Sequence, residues 1–507
     1  MKSNTVIILA IFCLLLFTPL LSQGRGLMGS NHTSTAAYDN ETLRKGVPFE
    51  QQLKKAHAIY EIKYDFDLRG ERVEIPSDCI LKFDGGHLTN GSIKFDGTII
   101  ESAYSDVFDQ VTVSGSLANR EVWVSWWKLE YNREANDAIL VNQIINSIDN
   151  CIFYYDIKSD VYVGTDKTDG SSEETIAFLD KQNLSVIQPT QYYTILRGRS
   201  KTGSVVRCIN NQYISIDGLK VDGGNVYYKK WGENGIGVVG NEKVLIENCI
   251  IRNCYSNCFH ETTSGDITNR DYPSWGAGGK GIQIEGGNVS TQATIRNNTI
   301  KSSYIGISNN ASDLESITLD GNYIDSCYMS LVLLRLNKNI KMNVNVCNTI
   351  ISNNTGDVGV ICMGDVSNVN IINTQIKGSE KKKSILRGCY SYSNIQLTVN
   401  QPCECLIDAA LFRDNPEGRY AKHNYVKLIS DQVCDNIVNT TGVIPKKGGY
   451  TYAEYVESEF DIILPNRVKG MPLVLPYKLK FSTFNIREGG VITSGDMEAI
   501  NRINSNK

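Results

Sequence analysis

The residues best equipped for chemistry stand in one strand-like phrase and in two loops beside it. In G-I-Q-I-E-G, from Gly281, the two-residue alternation of a strand turns Ile282 and Ile284 to one side and Gln283 and Glu285 to the other. I-G-I-S-N-N, from Ile305, sends Ser308 and Asn310 the same way, and Gly237 and Val239 precede them in G-I-G-V-V-G. Laid side by side, about 4.8 Å apart, such phrases make a polar outward patch. A loop of about twenty residues, 259–280, carries His260, Glu261, Asp266, Arg270, Asp271, Tyr272, Trp275 and Lys280. A second, 225–233, offers a similar mixture with Tyr227, Tyr228, Trp231 and Glu233. Long loops on a rigid scaffold are where binding groups collect.

These types suggest two roles. Glu285, Lys280, His260, Asp271 and Arg270 are the catalytic candidates, because carboxylate, amine and imidazole groups exchange protons with a substrate. Gln283, Ser308, Asn310 and Glu233 are candidates for polar contacts, and Trp275, Tyr272 and Trp231 for stacking on a sugar ring. No metal ligand is assigned. The plainer reading of the loop residues is a charged surface loop, since any loop of that length contains charges.

The elements that must position these groups repeat. L-I-E-N-C-I-I-R-N-C-Y from Leu245, T-I-R-N-N-T-I-K-S-S-Y from Thr294 and T-L-D-G-N-Y-I-D-S-C-Y from Thr318 match column by column. Ile246, Ile295 and Leu319 align, then Cys249, Asn298 and Asn322, then Ile251, Ile300 and Ile324, then Tyr255, Tyr304 and Tyr328. The first apolar column recurs at Ile216, Val346, Ile371 and Leu397, giving a period of about two dozen residues with one large insertion. Within each copy two strands meet at a polar corner, such as Glu247-Asn248, Arg296-Asn297 or Asp320-Gly321, and a third strand follows. Three strands per repeat with no helical pattern between them predict an all-β fold, a right-handed parallel β-helix in which each turn pairs with its neighbours. On that fold the tyrosine column reads as a structural stack and the asparagine column as a hydrogen-bonded ladder.

Composition narrows the partners. A net charge of −4 argues against nucleic acid. Lys2, the apolar run Thr5 to Leu21 and the polar Ser22-Gln23-Gly24 read as a secretory signal peptide, 1–24, implying a secreted, periplasmic or cell-surface protein with no membrane insertion after cleavage. Of the 14 cysteines, Cys254 and Cys327 share a column and Cys249, Cys258 and Cys362 fall at inward or corner positions. That pattern favours buried free thiols over a disulfide framework.

In chain order, 25–56 reads as a flexible leader, 57–120 as an N-terminal β region, 121–410 as the β-helix and 411–507 as C-terminal coils and a β cap. One short helix is expected from Asn136, with Asn136-Asp137 at its start and Ile139, Leu140, Gln143, Ile144 and Ile148 at helical spacing.

The tryptophan-rich V-W-V-S-W-W from Val122, the helix with D-A-I and Q, the strands I-F-Y-Y and V-Y-V, T-I-L-R-G from Thr194, and G-G-H-L-T-N-G-S-I from Gly85 together resemble the opening segments of the pectin lyase-like superfamily. The resemblance spans roughly 64–405, and the later repeats are similar to the coils of its pectate-lyase-type and tail-spike-type members. It implies a polysaccharide groove on the outer face of one sheet, flanked by loops, and therefore a glycan partner. A glycosidase there needs two carboxyl groups about 5 to 9 Å apart, with Asp271, Asp266 or Glu233 as partners for Glu285. A lyase needs a base drawn from Lys280, His260, Arg270 or Tyr272 and a positive group, with calcium on Glu285 and Asp266 or Asp271 as a candidate cofactor. No contiguous stretch resembles the paired-aspartate and histidine motifs of the polygalacturonase branch. The alternative is a non-catalytic carbohydrate-binding or adhesion solenoid.

Overall fold

The computed structural model describes residues 38–131, 137–164, 175–190, 196–198, 204–224, 234–254, 279–285, 290–310, 314–334, 342–356, 360–366, 368–390, 393–401, 403–408, 424–430, 434–439, 458–463 and 483–487. Among them, one 10-stranded and one 20-stranded sheet carry most of the chain, and every named strand pair in both is parallel. A turn runs through three strands, for example Ile305–Asn310 in the 10-stranded sheet, then Leu314–Asp320 and Tyr323–Asp325 across a corner of the larger one. This is the parallel β-helix that the repeat predicts.

The columns read from the sequence are the registers of the coil. Ile246 pairs with Ile295, Ile295 with Leu319, Leu319 with Val346 and Val346 with Ile371. Ile251, Ile300, Ile324, Ile351 and Ile376 form the second stack. All of these side chains are buried in one continuous core, and burying each contributes roughly 1.5–3 kcal/mol. One register differs from expectation. The ladder is irregular between Ile371 and Thr374, so Ile371 pairs with Ile395, and Leu397 falls opposite Thr374.

Corners turn through the left-handed region, which asparagine tolerates because its short side chain bonds locally. Asn248, Asn297, Asn348 and Asn373 sit there with φ of 54°, 55°, 49° and 49°, and Gly321 with 64°. Just inside, the expected asparagine ladder forms. Asn298 Oδ1 accepts the Cys249 N–H at 2.9 Å, while Asn298 Nδ2 donates to Ile246 O at 3.0 Å and Asn322 Oδ1 at 3.1 Å. A second ladder joins Asn211 to Asn241, whose Oδ1 accepts from the Asn211 backbone at 2.9 Å. Tyr304 and Tyr328 stack with ring centres 4.9 Å apart, and Tyr255 lies outside the described residues. The described cysteines with assigned state are free thiols, seven of the eight buried, and burial pushes Cys249 and Cys327 up to about 12. Such thiols stay protonated and inert.

Upstream, within the stretch read as a leader, Asp39–Thr42 pairs in parallel with Ala58–Ile62 and the short helix Phe49–Gln52 buries Phe49. Those two strands open a seven-stranded sheet, again built of parallel pairs, that runs to Leu117. The expected helix is Asp137–Asn146, but its buried face is Ala138, Val141, Ile144 and Ile145, and Ile139 is 58% exposed. Asp137 turns back, its carboxylate accepting the N–H groups of Glu130 and Tyr131 at 3.0 Å each. The Asn142 amide then acts as a surrogate strand at the sheet edge, donating to Thr175 O at 2.7 Å and accepting from Ala177 N at 2.9 Å. In the C-terminal region, Asn424–Ser430, Ser458–Ile463 and Thr483–Arg487 add further parallel rungs to the larger sheet.

Candidate functional site

The outward patch rests on the 10-stranded sheet, where three successive strands take the same unusual path. Gly235, Gly281 and Gly306 face inward immediately before the inward Ile236, Ile282 and Ile307, so two consecutive residues point to the core. A Cβ on Gly281 would come within 2.5 Å of Ile300 Cγ2 and 2.6 Å of the Gly306 carbonyl oxygen, so glycine is required at this close approach. After that step the alternation resumes, leaving Gln283 and Glu285 on the far side of the sheet from Ile282 and Ile284.

Registers agree with the predicted patch. Gly237, Gln283 and Ser308 share one column, and Val239, Glu285 and Asn310 share the next. Burial does not follow the expectation of an open surface. Gln283 is 4% and Ser308 2% exposed, whereas Glu285 is half-buried. Gln283 Oε1 accepts from Asn234 Nδ2 at 2.7 Å, and Asn234 Nδ2 also lies 3.4 Å from Ser204 Oγ. Lys280 belongs to the strand and not to the loop, and at 3% exposed it is withdrawn from the surface where a base must meet its substrate. Its backbone N–H donates to Asn234 Oδ1 at 3.1 Å. One turn later the same face becomes apolar, with Ile305, Met329 and Val332 forming a cluster with Tyr304, separate from the core.

Two groups in this patch lack partners. The Glu285 side chain has no hydrogen bond or ion pair among the described residues, and neither has the buried Ser308 hydroxyl. An unmade bond on a buried polar group costs about 1–3 kcal/mol, and the Ser308 hydroxyl shares that state with Trp127 Nε1 and Thr291 Oγ1 elsewhere in the described coil. Arg207, overlooked in the sequence, joins Glu285 and Ser308. It lies in strand Ser204–Ile209, in register with Gly237, half-buried and likewise without a side-chain partner among the described residues. S-V-V-R-C-I precedes the first phrase counted as a third strand, and its alternation was the signal that could have found it.

His260, Asp266, Arg270, Asp271, Tyr272 and Trp275, with Trp231 and Glu233, lie outside the described residues, and of Asn310 only the strand position is described. Among the described residues no three His, Cys, Asp or Glu side chains gather to hold a metal ion, and on the rungs either side of it Glu285 has no second carboxylate in its own column or in that of Gln283. Asp266 and Asp271, the expected partners of Glu285 for calcium, lie outside the described residues. No protein-family model, curated protein or solved structure matches the chain.

Proposed function

We propose that this protein binds a polysaccharide across the outer face of the 10-stranded sheet and cleaves it with Glu285 as a proton-transferring group. The observation that carries the reading is the half-buried Glu285, whose carboxylate has no partner among the described residues and which follows the buried Gln283 in the same strand. A carboxyl group in such a setting can protonate a leaving oxygen or accept a proton. Kinship with the pectin lyase-like superfamily and export from the cell belong to the same proposal, supported by the coil and by the signal-like first residues.

A second reading, binding without cleavage, is favoured by one observation: on the rungs either side of Glu285 no second carboxylate stands in its own column or in that of Gln283. Incubation with a glycan panel separates the two. Ultraviolet absorbance from unsaturated ends identifies a lyase, and reducing ends without absorbance identify a hydrolase. Glu285→Gln is expected to lower either rate at least a hundredfold while leaving the thermal midpoint in place. Binding of a glycan with no product of either kind establishes the second reading.

A further inference from the structure

We infer that Arg207 selects glycans bearing an oxyanion, a carboxylate or a sulfate, and that it does so from two rungs away from Glu285's strand. The inference rests on the glycan-binding reading above and adds to it a specificity residue. Arg207, Gly237 and Gln283 occupy successive rungs of one column. Two rungs span about 10 Å, so a chain lying along the column meets Arg207 and the Gln283–Glu285 strand at different points along its length.

Three features single out Arg207. The residue is half-buried, and among the described residues its guanidinium has neither a hydrogen bond nor an ion pair. Its register neighbours, Ala177 and Gly237, carry no charge that could satisfy it. A guanidinium on this face with no counter-charge from the protein's described residues is open to an anionic ligand. Gly237, between Arg207 and Gln283 in the column, adds no side chain of its own, and the place a Cβ would take is held by Ser204 Oγ, 2.5 Å away. Guanidinium is suited to the task because its planar fork pairs bidentately with a carboxylate or a sulfate, which an ammonium cannot do.

The test uses the full chain and three glycan sets of matched length: uronate-containing, sulfated and neutral. Titration calorimetry on wild type, Arg207→Lys and Arg207→Gln gives the affinities, with the thermal midpoint of each variant as the folding control. The inference expects one charged set to bind wild type at least tenfold more tightly than the neutral set. Arg207→Gln should abolish that preference and flatten its salt dependence, and Arg207→Lys should keep the salt dependence but lose most of the preference. The two charged sets decide between carboxylate and sulfate. Equal loss for charged and neutral glycans, or no loss, overturns the role of Arg207 and leaves the site reading standing. Failure of every glycan to bind wild type overturns both.

Discussion

The two outer faces of this coil treat their polar groups in opposite ways. Along the corner of the 20-stranded sheet, charges are matched rung to rung. Glu247 accepts from Arg296 at 2.6 Å, Asp222 from Arg252 at 3.0 Å, Asp217 from Asn248 at 2.7 Å and Asp320 from Asn348 at 2.8 Å. On the 10-stranded sheet, Arg207, Glu285 and Ser308 have no such partners among the described residues. The difference teaches where to look for function in a repeat protein. A face whose polar groups are satisfied by their own neighbours is scaffold, and a face that leaves them open is addressed to a ligand.

Substitutions can break or sharpen that contrast. The largest effect belongs to the core beneath both faces: Ile300→Ala should cost about 2–5 kcal/mol, measured by denaturant unfolding, with no selective change in ligand specificity. Next comes the corner ladder. Asn298→Ala leaves the Cys249 N–H and the Ile246 carbonyl without their bonds, at about 1–3 kcal/mol for each group, and should leave glycan affinity at wild-type level. Loss of glycan binding in Asn298→Ala at a temperature where it is folded would erase the distinction between the faces.

The smallest effect is on pH dependence. Burial pushes the Asp325 carboxyl up, but hydrogen bonds from Ser352, Asn353 and Ser326 outweigh it and hold the group below its usual value. A depressed carboxyl contributes stability above its unfolded pKa, near 3.9, and loses it as pH falls through the lower folded value. Asp325→Asn should therefore lower the thermal midpoint at neutral pH by a small amount, and the gap to wild type should close below about pH 4. A gap that widens on acidification would contradict the bonding assigned to Asp325.

Much of the coil was legible because a solenoid writes the same constraint many times. Ile246, Ile295 and Leu319 stack because each turn must present an apolar residue at the same height, and repetition makes that visible. Where the constraint occurs once, the reading slips. Ile139 fitted a helical spacing, yet the helix packs through Val141 and Ile145, since its single contact face is set by the neighbouring sheet edge. Leu397 gave way to Ile395 because a register irregularity is a local accommodation with no echo elsewhere in the chain. At the site, parity placed Gln283 and Glu285 in their columns but could not reveal burial, which depends on what packs above the sheet. Lys280 illustrates the same limit: its charge suggested the surface, and its position at the strand start puts it under cover.

The most direct measurement is carboxyl footprinting by mass spectrometry, with carbodiimide and an amine as the label, on the protein with and without a glycan that binds it. The account predicts that Glu285 is labelled in the free protein and protected by the glycan, while labelling of Asp217, Glu247 and Asp320 on the corner face does not change. Protection of the corner carboxylates with Glu285 still open to label would contradict it.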